Sequence, residues 1–240
     1  LAGIAVDTAG DVYIAKPDTH QVQKFTSDGT FITEWGSFGD EPGQFSFPND
    51  VAASSDGHIY VADSLNHRIE KFTADGRFLL EWGESGSFES EFINARSLAV
   101  DSSGNVFVAD FKNHRIQKFT ADGAYLTEWG RHGNLDGEFL FANDVAVDSL
   151  DNVYVTDGTA RIQKFDNGGT FLESWGDQGT EAGQFDRPFG IGIDSNDAIY
   201  VVEPLRNRVQ KFDANGTFLT LLGSAGSGDG QFDRPFGIAV

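Results

Sequence analysis

The sequence predicts an all-β fold, a β-propeller of four-stranded blades, and three observations predict it. A segment of about 47 residues repeats nearly end to end, each copy holds four short extended stretches, and polar glycine-bearing turns separate them. The first apolar residue of the repeat recurs at Ile4, Val51, Leu98, Val145, Ile191 and Ile238, in steps of 47, 47, 47, 46 and 47. The short step falls in Asp157-Gly158-Thr159-Ala160, a turn with one residue fewer than its equivalents. One copy is too small to bury its own apolar faces, but stacked neighbours share a core. The 22 phenylalanines and 13% aromatic content supply the material for it.

The copy from Leu98 to Asp144 shows the elements in order. Leu98-Ala99-Val100 is short and apolar on both sides, and the equivalents of Ala99 are small: Ala52, Ala146, Gly192 and Ala239. That suits the crowded innermost strand of a blade packed between two others. Asp101 to Asn105 is a turn, with Gly104 matched by Gly10 and Gly57. The second strand, Val106 to Asp110, is rich in β-branched and aromatic residues, as a buried strand is. A polar turn leads to the third strand, Arg115 to Phe119. The Asp122-Gly123 pair then signals a hairpin, as Asp28-Gly29, Asp75-Gly76 and Asn215-Gly216 do in other copies. The fourth strand ends in Trp129-Gly130, with Trp35, Trp82 and Trp175 in register and Leu222 in place of the fifth tryptophan. A long glycine-bearing connection returns to the next inner strand. This is the meander of a propeller blade.

At these residues the chain resembles the NHL-repeat family, whose pattern of P-x-G-I-A-V-D, N-V-Y-V-A-D, N-x-R-I-Q-K-F and a closing W-G recurs in every complete copy. The resemblance covers essentially the whole chain and implies a propeller, with six blades as the family's usual number. The copies run approximately over residues 3–49, 50–96, 97–143, 144–189 and 190–236, and residues 237–240 open a sixth. Gly230 to Ile238 is identical to Gly183 to Ile191, as the start of another copy would be. The expectation is five full repeats plus the first strand of a sixth in one domain, residues 1–240, forming a segment of a longer chain. A five-bladed ring is the alternative.

Charge and composition narrow the function. A net charge of −20 with only 17 lysines and arginines argues against nucleic-acid binding, although some NHL propellers bind RNA. Five of those, Lys24, Lys71, Lys118, Lys164 and Lys211, are repeat-equivalent and spread around the ring. With no cysteine there are no disulfides and no thiol chemistry. No apolar run reaches the length of a membrane span, so no membrane insertion is expected.

Residues repeated in every copy are framework first. His20, His67 and His114 precede the third strand at one repeat position, and a turn role accounts for them better than a metal site does. Asp63, Asp110 and Asp157 with Arg68, Arg115 and Arg161 read as structural ion pairs. The informative places are departures from the repeat. The P-x-G before the inner strand is intact at Pro188-Phe189-Gly190 and Pro235-Phe236-Gly237. It becomes Asn49-Asp50, Arg96-Ser97 and Asn143-Asp144 in three consecutive copies. These six residues are the candidate ligand-binding arc at the channel entrance. Carboxylate and amide oxygens suit a hard cation such as Ca²⁺, with Asp50, Asn143 and Asp144 as candidate ligands, and an arginine suits an anion. Residues of this kind before a strand are also good turn formers. Phe111, Lys112 and Leu205 are expected to be exposed on the same rim.

The arc also resembles, more weakly, the gluconolactonase- and paraoxonase-type propellers, which hold a divalent cation with Asn and Asp at the channel mouth. That resemblance implies a lactone or ester hydrolase, although no general base stands out. An NHL relative with amidating-lyase activity uses a histidine-held metal inside the propeller; the histidines here are turn residues apart from His58 and His132, so that role does not carry over. No nucleophile elbow, phosphate loop or HExxH occurs, and no catalytic residue is assigned. The leading expectation is a non-enzymatic binding or scaffold module for a protein, carbohydrate or small ligand, in an extracellular or cell-surface setting. Self-assembly into a fibre and the metal-dependent hydrolase are the alternatives. Asn215-Gly216-Thr217 is the one N-glycosylation sequon, at a hairpin tip.

Overall fold

The computed structural model describes residues 3–240. Among them, five antiparallel four-stranded sheets follow one another in chain order, each a simple meander from inner to outer strand. Blade one comprises Ile4–Val6, Val12–Lys16, Gln21–Phe25 and Phe31–Trp35. Blade two comprises Pro48–Ala53, His58–Asp63, Arg68–Thr73 and Phe78–Trp82. Blade three comprises Ala95–Val100, Val106–Asp110, Arg115–Phe119 and Tyr125–Trp129. Blade four comprises Ala142–Val147, Val153–Asp157, Ile162–Phe165 and Phe171–Trp175. Blade five comprises Ile191–Ile193, Ile199–Glu203, Arg208–Phe212 and Phe218–Leu222. No helix among the described residues is long and apolar enough to cross a membrane.

The core lies between blades. Each closing tryptophan packs on a phenylalanine at or near the end of the next blade's third strand: Trp35 on Phe72, Trp82 on Phe119, Trp129 on Phe165 and Trp175 on Phe212, at centroid distances of 5.8, 5.7, 5.7 and 6.4 Å. The hairpin glycine of that next blade lies beneath the indole. A Cβ on Gly123 would stand 2.7 Å from Trp82, and its φ of 79° also favours glycine. The Asp-Gly signal in the sequence thus serves the hairpin and the stacking of blades together.

The buried Asp–Arg pairs anchor the connections between blades. Arg68 Nε lies 3.1 Å from Asp63, and its Nη atoms donate to Asp40 O and Gln44 O of the incoming loop. Arg115 and Arg208 repeat the arrangement with Asp110 and Glu203. These contacts bring the connections between blades and the turns between second and third strands to one end of the ring, the end at which the inner strands begin.

Among the described residues, two blade faces have no blade against them. Val12, Ile14 and Phe25 of blade one are partly exposed, whereas their equivalents Ile59, Val61 and Phe72 are buried. Leu222, in the tryptophan position of blade five, is also exposed. Residues 236–240 run beside the inner strand of blade five, close enough that a Cβ on Gly190 would lie 2.2 Å from Phe236 O. They form no strand, so the expected first strand of a sixth blade is not seen and the described residues show five blades.

Candidate functional site

The sequence departures at the channel entrance coincide with a break in the sheet. In blades two, three and four the register between inner and second strand shifts between Pro48 and Asp50, Ala95 and Ser97, and Ala142 and Asp144. The extra residue at each bulge is Asn49, Arg96 or Asn143. A bulge bends the strand and re-aims the unpaired side chain, here at the mouth of the channel. Blade five, with Gly190 at the following position, has a three-residue inner strand and no such bulge among the described residues.

Most of the predicted arc is engaged in joining blades. Asn49 Nδ2 donates to Arg96 O at 2.8 Å, and Asn143 Nδ2 to Pro188 O at 3.2 Å, each reaching the next blade. Asp50 accepts the N–H of Val51 in its own strand and of Leu98 in the next blade. Asp144 does the same with Val145 and Ile191. Ser97 lies between the two acids, and its hydroxyl donates to Asp144. A Cβ on Gly3 would lie 2.0 Å from Asp50 Oδ1, so glycine in blade one leaves room for the carboxylate of blade two. The structure brings Asp50, Ser97 and Asp144 together as one hydrogen-bonded belt.

Burial raises the Asp50 carboxyl far above the ordinary carboxylate range, and the facing Asp144 raises it further. Burial likewise raises Asp144, against the pull of Ser97, two backbone N–H groups and Arg96. Two neighbouring acids in a poorly solvated wall do not both ionise readily.

Arg96 is different. Its guanidinium lies between two phenyl rings, 4.1 Å from the centroid of Phe111 and 4.3 Å from that of Phe189. Phe189 belongs to the segment entering blade five, so Arg96 reaches across the mouth from blade three. The stack continues on both sides. Phe111 lies parallel to Phe141 at 4.7 Å; Phe141 touches His114 at 4.8 Å; and His114 meets His132 edge-on at 4.7 Å. On the other side Phe189 meets Phe236 at 5.2 Å. Burial pushes the Arg96 guanidinium down to about 10, with Asp144 pulling the other way, so it stays charged at neutral pH.

The inner strands and Arg96 line an open cavity of about 230 Å³. That is smaller than the roughly 300 Å³ at which small-molecule pockets begin. Exposed apolar side chains stand around this end of the ring: Phe38 at 71%, Phe88 at 76%, Leu135 at 65% and Leu205 at 52% exposure.

The remaining sequence candidates are accounted for as follows. His20 and His67 sit in left-handed turns, and each Nδ1 accepts a backbone N–H from the next connection, from Phe47 and Asn94. Their turn role holds. His114 departs from it, since its Nδ1 is buried without a partner and its ring joins the aromatic stack. Phe111, expected to be exposed, is partly buried in that stack, because the bulge brings Arg96 over it; Lys112 and Leu205 are exposed as expected. Asn215 is exposed at its hairpin tip, and its backbone N–H is held by Asp213. Among the described residues no three His, Cys, Asp or Glu side chains gather as a metal cluster, and Asn143 turns its amide nitrogen to Pro188.

Sequence reasoning missed Phe141, Phe189 and His132 as parts of the entrance. Phe189 sits in an intact P-x-G and so looked regular. The signal available was its occupying the repeat position of Asn49, Arg96 and Asn143.

Comparisons with known proteins agree with this architecture. The family model described as NHL repeat matches residues 45–72 and 92–119. No curated protein sequence matches the chain. Among solved structures, virginiamycin B lyase from Staphylococcus aureus is similar, at 20% identity and a TM-score of 0.69, covering 100% of this chain and 74% of that one. A chain of a nidogen/laminin complex is similar at 19% identity and a TM-score of 0.72, covering 99% and 83%. A gluconolactonase from Xanthomonas campestris is similar at 16% identity and a TM-score of 0.66, covering 90% and 73%. The chain is a β-propeller of four-stranded blades, and two of its repeats match the NHL-repeat model.

Proposed function

We propose that this propeller is a non-enzymatic binding module that holds a protein partner against its channel-entrance face. The observation that carries the reading is the ring of exposed apolar side chains, Phe38, Phe88, Leu135 and Leu205, around a mouth closed by stacked aromatics and Arg96. Exposed apolar groups clustered about a polar centre mark interaction surfaces, and aromatics with arginine are the side chains enriched there. The small cavity admits a side chain rather than a whole substrate. The nidogen/laminin complex offers a protein of the same fold in association with a partner. Peptides selected on the wild-type protein from a displayed random library test this. Phe88→Ser with Leu205→Ser should weaken them about tenfold or more while leaving the melting temperature unchanged. Unaltered affinity in that variant would remove the entrance face from consideration.

A second reading, a Ca²⁺-dependent lactone or ester hydrolase using Asp50, Asn143 and Asp144, draws on one observation. Asp144 raises the proton affinity of Asp50 across Ser97, a repulsion that a bound cation would relieve. Metal analysis and a melting scan with Ca²⁺ above pH 8 address it. A shift of several degrees, lost in Asp144→Asn, supports it, and an unchanged transition removes it.

We propose further that the ring has six positions, the sixth opened by residues 237–240. The partly exposed Val12, Ile14 and Phe25 on blade one and the exposed Leu222 on blade five are the faces such a blade would cover. Negative-stain class averages distinguish a gapped ring from a closed five-bladed one.

A further inference from the structure

Arg96 is a charged side chain held at the channel mouth with its hydrogen-bonding edge unused. The framework arginines Arg68, Arg115, Arg161 and Arg208 each bind a carboxylate at 2.6–3.1 Å. Among the described residues Arg96 takes part in no such ion pair, and its Nε is buried without a hydrogen-bond partner. The nearest acids are already occupied: Asp144 accepts from Val145, Ile191 and Ser97, and Asp50 from Val51 and Leu98. A buried cation left unsatisfied is costly, so the arrangement is most stable when something else supplies the acceptor.

We propose that Arg96 seats one carboxylate of a protein partner, an aspartate or glutamate side chain entering the channel mouth. This rests on the reading of the entrance face as a protein-binding surface. The geometry of the guanidinium restricts what it takes. Phe111 and Phe189 cover its two faces, so a ligand that stacks on arginine has no access. Only the in-plane N–H edge is left, and a carboxylate matches that edge with two parallel hydrogen bonds. The cavity of about 230 Å³ suits a single side chain. Asn49 adds an independent indication. Its Nδ2 is committed to Arg96 O, while its Oδ1 is buried without a partner. A peptide carries backbone N–H donors that such an acceptor could take, whereas an inorganic anion carries none. The net charge of −20 adds a constraint on the partner: the entering acid sits on a segment that is otherwise neutral or basic.

The test uses two probes that differ only in the acid: N-acetyl-aspartate N-methylamide and N-acetyl-asparagine N-methylamide. They are titrated into the ¹⁵N-labelled protein while the arginine Nε–H resonances are followed. The aspartate probe should move the Arg96 signal and bind about tenfold or more tightly than the asparagine probe. Arg96→Gln should abolish the difference, Arg96→Lys should keep a weaker preference for the acid, and Arg206→Gln should leave it intact. Arg206 is an exposed arginine of the turn that also carries Leu205, and it is paired with Asp186. Equal binding of the two probes, binding that survives in Arg96→Gln, no response at Arg96, or inorganic phosphate binding as well as the aspartate probe would each overturn the proposal. The two readings fail separately. If the probe seats at Arg96 but the Phe88/Leu205 variant keeps its selected peptides, the docking face falls and the carboxylate seat stands. If those peptides bind through the rim without regard to Arg96 or to their own acids, the seat alone falls.

Discussion

The Arg96 guanidinium lies 4.3 Å over the ring of Phe189, joining the third blade to the segment that enters the fifth. Arg115, at the far end of the same blade's second-strand turn, is instead locked to the buried Asp110 at 2.9 Å. The two arginines should respond differently to removal. Arg96→Met is expected to change stability by only about 1 kcal/mol, because the lost cation–π contacts are offset by relief of desolvation. Arg115→Met leaves Asp110 buried and uncompensated, at a cost of about 3–5 kcal/mol. Urea denaturation of the two variants checks the contrast.

Glu70 occupies a position held by Gln23, Gln117, Gln163 and Gln210 in the other copies. Gln117 and Gln210 donate to a neighbouring carbonyl and to the framework acid, which a glutamate cannot do. Glu70 Oε1 stands 2.7 Å from Arg68 without an aligned hydrogen bond, and burial pushes the carboxyl up to about 8, with Arg68 pulling it down. Its folded-state value lies above the ordinary 4.5. Between those limits the folded protein therefore holds more protons than the unfolded one, and stability falls as pH rises through the window. Glu70→Gln should stabilise the protein by about 2 kcal/mol at pH 8, with the gain shrinking toward pH 4. Melting temperatures across that range would show it.

Glycines in equivalent hairpins should not be equivalent in cost. Gly29 and Gly123 both have positive φ, but a Cβ on Gly29 meets nothing within 4 Å, whereas one on Gly123 would strike Trp82. Gly29→Ala should cost about 1 kcal/mol from the backbone alone. Gly123→Ala adds the displacement of the indole and should cost about 2–4 kcal/mol. Equal losses in chemical denaturation would mean that the blade stacking is not as described.

His114 titrates below the ordinary 6.5 because burial disfavours its charge and His132 adds repulsion, against the pull of Asp110. Replacing His132 with glutamine should therefore raise the His114 pKa, as read from its ring resonances. No movement would separate the two rings.

Much of this fold was legible in the sequence because a repeat states each instruction several times. The Asp-Gly hairpins, the closing tryptophans and the Asp–Arg pairs all stand where the pattern placed them. The entrance was only half legible. The departures Asn49-Asp50, Arg96-Ser97 and Asn143-Asp144 marked the right place, but their coincidence with bulges is a property of register, which composition does not reveal. Arg96 and Phe189 are two blades apart and meet only because the ring curves. Phe111 looked like a surface residue for a related reason: its partners come from the bulge of its own blade's inner strand, Arg96, and from the connection to the next blade, Phe141.

The central claim is that partners are held at the end of the ring where Arg96 crosses the channel. The most direct measurement is a backbone chemical-shift map of the protein with a peptide selected on it from a displayed library. Perturbations are expected at Asn49, Arg96, Phe141 and Leu205. A map centred instead on the opposite turns, around Ser102 and Leu150, or on the uncovered flank at Val12 and Phe25, would contradict the account.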